Sequence, residues 1–405
     1  MEKRKPLEGI RILDFTQVWA GPYCTMLFAL YGAEVIKVES AKRPDNSRLF
    51  SVTLAIRYKS KDESPLFNTL NLNKLDITLD LSRPRAVELA KDIARHCDVA
   101  VENFRPGVMK RLGLDYASLR EIKPDIVYLS SSSRGGTGPE WDYAGYAPIF
   151  AAMGGLSHIT GNPDGIPSMI TGRTDLLVGT SALLAIMAAL VYRRKEGIGQ
   201  YIDLSSSEAI TALIGDTFMD YAMNGRNQGR QGNRDAVMVP HTCYRCRGED
   251  KWISIAVAGD GEWQAFCEAI GNPAWTREDR FSDALLRKAN ETDLDRHVSE
   301  WTEKLTIEEV LQILQNAGVA AMPSQSSEDI FNDPHLRQRG AFREIDHPVM
   351  GKQTLIGPPW RLSGVPDGNI RHAPLFGEHN AYVFGELLGL PPAEIEELQR
   401  DGIIY

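Results

Sequence analysis

The carboxylate of Asp175 stands at the start of a long apolar segment, residues 176–191, which ends in a cluster of arginine and lysine. Asp is favoured at helix starts because its side chain accepts hydrogen bonds from unpaired backbone N–H groups. The same place suits chemistry, since a helix N-terminus keeps a carboxylate ionised near neutral pH and its N–H groups stabilise an oxyanion. Such a carboxylate in a dry cleft is a nucleophile toward activated acyl groups. The position of Asp175 alone favours a helix cap and does not decide whether this carboxylate is a nucleophile.

Other patterns that carry chemistry are missing from the sequence. Residues 9–32 resemble a dinucleotide-binding unit, but their turn, TQVWAGPYC, has one glycine where that site needs three. Pro22 also removes an N–H that a pyrophosphate would use. The chain has no P-loop, G-x-S-x-G or H-E-x-x-H pattern, and its histidines lack metal-ligand spacing. We therefore expect no metal and no permanently bound cofactor.

Length, charge and cysteine use restrict the class of protein. A chain of 405 residues is expected to form two domains, and a net charge of −9 without a basic block argues against a nucleic-acid partner. The apolar segment after Asp175 is shorter than the roughly 20 residues of a membrane span, so we predict a buried helix and no membrane association. Five scattered cysteines without a signal-peptide core predict reduced thiols and a cytoplasmic location. Cys243 and Cys246 form one C-x-x-C, for which a strand is the simpler explanation than zinc.

Strands alternate with helices along the first half of the chain. The predicted strands are residues 9–15, 33–39, 76–81, 97–103, 125–130 and 199–205. The predicted helices between them include residues 22–32, residues 85–96 and the apolar segment that follows Asp175. This alternation predicts an α/β fold with a Rossmann-like parallel sheet and helices on both faces.

The composition changes near residue 224. A loop rich in Gly, Asn and Arg, NGRNQGRQGNRD, precedes further strands and then polar helices. We predict a large α/β domain of residues 1–224, joined by the C-terminal tail, residues 326–405. Residues 225–325 are predicted to form a smaller α+β domain.

Blocks of sequence, in the same order along nearly the whole chain, carry a resemblance to a known family. They include PLEGIRILDFTQVWAGPYCTMLFALYGAEVIKVES, VENFRPGVMKRLG, GGTGPEWDYAGYAPIFAAMGGL, YRRKEGIGQYIDLS and FNDPHLRQRGAF. These blocks resemble the class III CoA-transferases, the family of formyl-CoA:oxalate and carnitine CoA-transferases. The resemblance implies an enzyme that moves CoA from an acyl-CoA donor to a carboxylic acid, with a large domain that binds CoA.

The resemblance implies that Asp175 is the nucleophile. In this family the aspartate attacks the donor thioester and forms a mixed anhydride. The released CoA thiolate then attacks the aspartyl carbonyl and gives an aspartyl-CoA thioester, from which the acceptor acid takes CoA through a second anhydride. This chemistry requires neither ATP nor a metal.

The resemblance also implies a set of CoA contacts. They fall on Trp19, Ala20, Leu79, Leu81, Asn103, Phe104, Arg105, Arg111 and Tyr146. A guanidinium pairs with phosphate oxygens in a bidentate way, which suits Arg111. Asn103 and Phe104 follow a strand end, where open α/β sheets bind ligands. A solvated surface arginine remains the alternative for Arg111, and a core tyrosine remains the alternative for Tyr146.

The chain departs from the family at several positions. Trp19 stands where some relatives have a glutamine that holds reaction intermediates, so Gln17 is expected to take that role. Arg134 replaces part of a glycine turn and is a candidate to bind a second carboxylate of the substrate, with an exposed loop arginine as the alternative. Gly232 lies in a loop that we expect to cover the acyl group.

Two basic positions of the family are serines in this chain, Ser40 and Ser82. Arg48 or Arg83 is expected to supply the phosphate contacts that these serines cannot make.

The resemblance further indicates substrates and assembly. The motifs are similar to those of benzylsuccinate CoA-transferase subunits, so succinyl-CoA is the expected donor and a benzylsuccinate-like acid the expected acceptor. One alternative is a 2-methylacyl-CoA racemase, which has GHD where this chain has GYA at residues 145–147, and a tyrosine is a poor base at neutral pH. Another is a non-catalytic CoA-binding subunit. We expect an interlocked dimer, either of identical chains or with a related subunit.

Overall fold

The structure, a computed structural model, describes residues 4–49, 60–365 and 370–405. Its strands are Arg11–Asp14 (β1), Glu34–Glu39 (β2), Leu75–Thr78 (β3), Val99–Glu102 (β4), Val127–Ser132 (β5), Tyr201–Ser205 (β6), His241–Arg245 (β7), Trp252–Ala256 (β8), Ala320–Pro323 (β9), Phe342–His347 (β10) and Gly351–Ile356 (β11). Its α-helices are Ala20–Leu30 (α1), Pro65–Leu70 (α2), Pro84–Arg95 (α3), Val108–Leu112 (α4), Tyr116–Ile122 (α5), Ala147–Met153 (α6), Leu156–Ile159 (α7), Arg173–Glu196 (α8), Ser206–Leu213 (α9), Gly215–Asn224 (α10), Asp260–Ala269 (α11), Ala284–Ala289 (α12), Glu291–Thr302 (α13), Ile307–Asn316 (α14), Ser327–Asn332 (α15), Pro334–Gln338 (α16) and Pro392–Arg400 (α17).

Six of these strands form one parallel sheet in the order β3-β2-β1-β4-β5-β6. The predicted α/β fold is confirmed, and each predicted strand overlaps one of these six. Strand β1 lies at the point where the order of connection reverses, with Ile12 opposite Val35 on one side and Val99 on the other. Ligands of open α/β sheets bind at the carboxyl ends of the strands beside this point.

Both faces of the sheet are buried along β1 to β5, as in other parallel sheets, and the edge strand β6 is partly exposed. Successive side chains of β1 point to opposite faces, so Leu13 packs with α3 and α5 on one side, while Ile12 packs with α1 and α8 on the other. The sheet therefore fixes the ends of β1, β4 and β5 between two helical layers.

Helix α8 is long and apolar enough to cross a membrane by length and composition alone. Val178, Ala182, Ile186 and Ala189 form a buried stripe along it, at the spacing of one helix face. Helix α1 packs closely against it, because a Cβ at Gly179 would lie 2.6 Å from the Ala20 carbonyl oxygen. The N-terminus of α8 is thereby held beside the N-terminus of α1.

The chain divides into two compact units. The first comprises residues 1–157, 169–227 and 338–405, and the second comprises residues 158–168 and 228–337. The second unit has an antiparallel sheet in the order β7-β8-β9, on which α11, α13 and α14 build a separate apolar core. No change of composition in the sequence indicated that residues 158–168 group with this unit.

A segment of the tail covers the edge of the large sheet at β3. The backbone N–H of His379 donates to the Asp76 carbonyl at 2.9 Å, and the side-chain oxygen of Asn380 accepts the Thr78 N–H at 2.9 Å. The N–H of Gly377 donates to the Asp76 carboxylate at 2.7 Å. Residues 377–380 thus occupy bonding groups that an edge strand would otherwise expose.

Candidate active site

A cavity of about 480 Å³ lies in the first unit at the carboxyl ends of β1, β4 and β5. The turn after β1, the loop after β4, the end of β5 and the N-termini of α1, α6 and α8 line it. Of the residues singled out in the sequence, the cavity brings together Gln17, Trp19, Ala20, Asn103, Phe104, Arg105, Tyr146 and Asp175. This cavity is at the switch point of the sheet, where the fold is expected to bind a ligand.

Asp175 occupies the first turn of α8 without capping it. The cap position is Gly172, and the Asp175 N–H donates to the Gly172 carbonyl at 3.2 Å. Within the described residues, no hydrogen bond reaches the Asp175 carboxylate, whose residue is 9% exposed. Burial raises the pKa of this carboxyl to about 7. The helix terminus was expected to keep Asp175 ionised near neutral pH; burial acts in the opposite direction, so that the carboxyl and the carboxylate forms are both populated there.

Trp19 packs against the turn that leads into α8. A Cβ placed on Gly172 would lie 2.5 Å from Cη2 of the indole, and Gly172 has a φ of 64°. Only glycine combines that backbone conformation with so close a neighbour. The indole therefore forms a wall of the cavity beside Gly172, which precedes Asp175 by three residues in the sequence.

The loop after β4 contributes residues 103–105 to the lining of the cavity. The side-chain amide of Asn103 is bonded to the backbone of Gln17 through both its oxygen and its nitrogen. The N–H of Phe104 donates to the Glu102 carboxylate at 2.8 Å, and burial raises the pKa of Glu102 to about 7. Tyr146 at the start of α6 is 73% exposed, so a core tyrosine is the wrong explanation for it.

Several predicted contacts lie outside the cavity. Leu79 is fully buried in the core beneath α3, and Leu81 packs on the same core, so the Leu79 side chain is closed to a ligand. Arg134 pairs with Glu140 and donates to the Ser207 hydroxyl at 3.3 Å, which excludes a freely exposed arginine. Gly232 belongs to the second unit, where its N–H donates to the Gly161 carbonyl.

Of Arg83 and Arg48, the two candidates for the missing phosphate contacts, the structure excludes Arg48. Its guanidinium is buried between the carboxylates of Glu39, Asp62 and Asp76 and lies 3.4 Å from the centre of the Phe67 ring. Arg83 is exposed and donates to the Asp401 carbonyl at 3.2 Å. Arg111 is also exposed, on α4, with its guanidinium beside Gly107.

A group of serines that line the cavity was not predicted from the sequence. Ser131 and Ser132 end β5, Ser133 follows them, and Ser206 begins α9; all four line the cavity. Ser132 is 6% exposed, and its hydroxyl has no hydrogen-bond partner among the described residues. The run of serines after an apolar strand indicated this, since polar residues at strand ends face the ligand site. Within the same residues, no group of three His, Cys, Asp or Glu side chains is placed to hold a metal ion.

Comparisons of sequence and of structure with known proteins point to the same family. The family model described as CoA-transferase family III matches residues 7–380. Succinyl-CoA:glutarate CoA-transferase of Mus musculus is 33% identical over 100% of this chain and 91% of its own length. Succinyl-CoA–D-citramalate CoA-transferase of Chloroflexus aurantiacus is 31% identical over 99% of this chain and 98% of its own length. The crystal structure of a CaiB/BaiF family protein from Brucella suis superimposes with a TM-score of 0.84, at 29% identity, over 95% of this chain and 100% of its own. The chain therefore belongs to CoA-transferase family III and is a class III CoA-transferase.

Proposed function

We propose that the protein transfers CoA from succinyl-CoA to a dicarboxylic acid, and that Asp175 is the nucleophile. The observation that carries this proposal is the buried Asp175 carboxylate, which has no hydrogen-bond partner among the described residues and lies at a cavity between two helix N-termini. Relatives named for transfer from succinyl-CoA to glutarate and to D-citramalate support the donor and the acceptor class. Benzylsuccinate is a dicarboxylic acid as well and stays within the proposed class.

The proposed chemistry runs through four exchanges at one carboxylate. Asp175 attacks the succinyl carbonyl and expels the CoA thiolate, which leaves a succinyl–aspartyl anhydride. The thiolate attacks the aspartyl carbonyl, releases succinate and forms the aspartyl-CoA thioester. The acceptor carboxylate displaces the thiolate and forms a second anhydride, and the thiolate then takes the acceptor acyl group and restores Asp175. Each step exchanges one activated acyl bond for another, so the reaction needs no other energy source.

The N-terminus of α1 is suited to stabilise the oxyanions of these steps. Ala20, the first residue of this helix, lines the cavity; the N–H groups of Ala20 and Gly21 have no partner within the helix, and Pro22 has no N–H. Such donors stabilise negative charge that develops on a carbonyl oxygen. We propose that CoA extends from here over Phe104 and Arg105 toward Arg111, with CoA thioesters as substrates and no permanent cofactor.

The rate of CoA transfer is expected to rise with pH as Asp175 ionises. Burial raises the pKa of Asp175 to about 7, and only the carboxylate is nucleophilic. Below that pH, kcat/KM for succinyl-CoA should increase about tenfold per pH unit and level off above it, measured from about pH 5 to about pH 8.5. A profile that is already level at about pH 5 would place the ionisation near the ordinary aspartate value of about 4 and contradict the buried carboxyl.

Replacing Arg111 with Ala is expected to weaken CoA binding by about 1.5–3 kcal/mol, because a guanidinium–phosphate pair is a charge-assisted hydrogen bond. Calorimetric titration with desulfo-CoA measures the change. The matched control is Lys110→Ala, which removes a neighbouring exposed cation from the same helix. If both variants bind alike, Arg111 is a surface arginine.

The proposed function is tested by a transfer screen. The purified protein is given succinyl-CoA with a panel of acids that includes glutarate, citramalate, mesaconate, benzylsuccinate and matched monocarboxylates, and new thioesters are identified by mass. Thioesters of dicarboxylates are the expected products. Transfer to monocarboxylates alone would overturn the acceptor class, and no transfer from succinyl-CoA would overturn the donor.

We also propose a cytoplasmic dimer, formed by identical chains or with a related subunit. Helix α10 supports it, because Phe218, Met219, Tyr221 and Met223 are each at least 60% exposed. A cluster of large exposed apolar side chains marks an interaction surface. Light scattering on the purified chain tests the assembly, and a monomeric mass would contradict the homodimer.

A further inference from the structure

The turn formed by residues 17–19 joins β1 to α1 and lines the cavity. Its central residue, Val18, has a φ of 71°. A β-branched residue adopts this left-handed conformation only under strain, and such strain persists only where the surroundings impose it. The structure therefore contains contacts that hold this turn.

Two side chains from other parts of the chain bind the turn. Asn103 accepts the Gln17 N–H at 2.8 Å and donates to the Gln17 carbonyl at 2.9 Å. Asp45 accepts the Val18 N–H at 2.9 Å. The Gln17 N–H and the peptide group between Gln17 and Val18 are thus fixed from outside the turn.

Asp45 is itself held rigidly. Its carboxylate is fully buried and accepts hydrogen bonds from Lys37 at 2.8 Å and from the backbone and hydroxyl of Ser47, both at 2.8 Å. The Lys37 ammonium also donates to the Thr16 carbonyl at 2.7 Å, directly before the turn. A buried, charge-paired carboxylate has little freedom to follow a moving backbone, so it acts as a fixed support.

The conformation of the turn decides where Trp19 and α1 lie. Trp19 directly follows Val18, and its indole fills the space beside Gly172, which precedes Asp175 by three residues. A rotation at Val18 would move both the indole and the first N–H groups of α1. Displacements of about 1 Å in a reacting geometry reduce rates about a hundredfold.

We propose that Asp45 and Asn103 are positioning residues for acyl transfer, which hold the strained turn so that Trp19 and the N-terminus of α1 face Asp175. This inference rests on the proposed function. Asn103 was expected to contact CoA, but its amide bonds the backbone of Gln17, so its effect on turnover passes through the turn.

The test combines Val18→Gly, Asn103→Ala and the double variant, with Asn224→Ala as control, since the Asn224 amide is exposed and bonds only Asp220 among the described residues. Glycine adopts the left-handed conformation without strain, so Val18→Gly lowers the need for support from outside the turn. Asn103→Ala should lower kcat at least about tenfold while the Kd for desulfo-CoA stays within about twofold, and Val18→Gly should keep kcat within about threefold of wild type. The double variant should be faster than Asn103→Ala alone, because the strain that Asn103 opposes is then absent.

Hydrogen–deuterium exchange of the peptide that spans Val18 gives a readout independent of turnover. Exchange should rise in Asn103→Ala and remain unchanged in Asn224→Ala. Unchanged exchange in Asn103→Ala overturns the inference, as does a loss of CoA affinity equal to the loss of kcat. Increased exchange with normal kcat overturns the catalytic role and leaves the proposed function intact. A wild-type protein that transfers no CoA overturns the proposed function, while the exchange data still decide whether Asn103 holds the turn.

Discussion

Replacing Asp175 with Asn is expected to abolish CoA transfer, with a loss of roughly four orders of magnitude or more in kcat. The amide has nearly the same shape, but it cannot form the anhydride or the aspartyl thioester. Binding of desulfo-CoA should remain within about threefold of wild type, because Asp175 makes no hydrogen bond to the described residues that position the cavity. Formation of the new thioester, followed by mass, measures the loss.

The thermal stability of Asp175→Asn shows whether its loss of activity could arise from unfolding. The folded pKa of Asp175 is raised to about 7 from an ordinary 3.8, so burial of the charged form opposes folding more strongly as the pH rises through that interval. Asn removes this charge, so the thermal midpoint of the variant at pH 8 should equal or exceed that of wild type. The difference should vanish in acid, where the carboxyl is protonated in the folded protein.

Chemical trapping identifies the residue directly. After incubation with succinyl-CoA, hydroxylamine or borohydride should modify the peptide that begins at Thr171. Asp164→Asn is a matched control, because that carboxylate is exposed and outside the cavity. Retained turnover in Asp175→Asn, or a label elsewhere in the chain, would refute the nucleophile.

Replacing Lys37 with Met is expected to lower the free energy of unfolding by about 3–5 kcal/mol, the range measured when one partner of a buried ion pair is removed. The Lys37 and Asp45 side chains are both fully buried, with Nζ 2.8 Å from Oδ2. Desolvation opposes the charge, but Asp45, Asp14 and Glu39 outweigh it and raise the pKa of Lys37 above its usual value. Met fills similar volume and leaves the buried Asp45 carboxylate without the cation that pairs with it.

Urea denaturation followed by circular dichroism measures this loss. Arg296→Met is the matched control, because the Arg296 and Glu300 side chains, which pair at 2.8 Å, are both 54% exposed. An exposed pair contributes little, so this variant should unfold close to wild type. Equal midpoints for the two variants would mean that the buried pair at Lys37 does not stabilise the fold.

The order of elements in the large sheet was predictable because it depends on local patterns. Each strand is a short apolar run, and each helix has an amphipathic or continuously apolar character. The predicted ends of the strands were less accurate than their order along the chain. Apolar residues such as Phe15 and Leu79 stay buried although they lie beyond the last bridged pair of their strands. Burial continues there although the ladder has ended, and the sequence pattern records only burial.

The candidate site was predictable only where the family resemblance covered it. Asp175 at a helix start has no local feature that separates a nucleophile from a cap. The burial of Arg48, the strain at Val18 and the Ser132 hydroxyl, which lacks a partner among the described residues, depend on segments that are distant in the sequence and meet in the fold. Local sequence patterns carry no information about contacts between distant segments, so these features could be seen only in the three-dimensional structure.

Asn380 accepts the Thr78 N–H across 302 residues of sequence, so β3 remains open while that stretch is translated. At about 5 to 20 residues per second, this interval lasts roughly 15 to 60 seconds. An open strand edge is a template for pairing with other chains. Nascent chains on neighbouring ribosomes therefore have time to associate through this edge, and fast expression or limited chaperone supply should divert the protein into inclusion bodies.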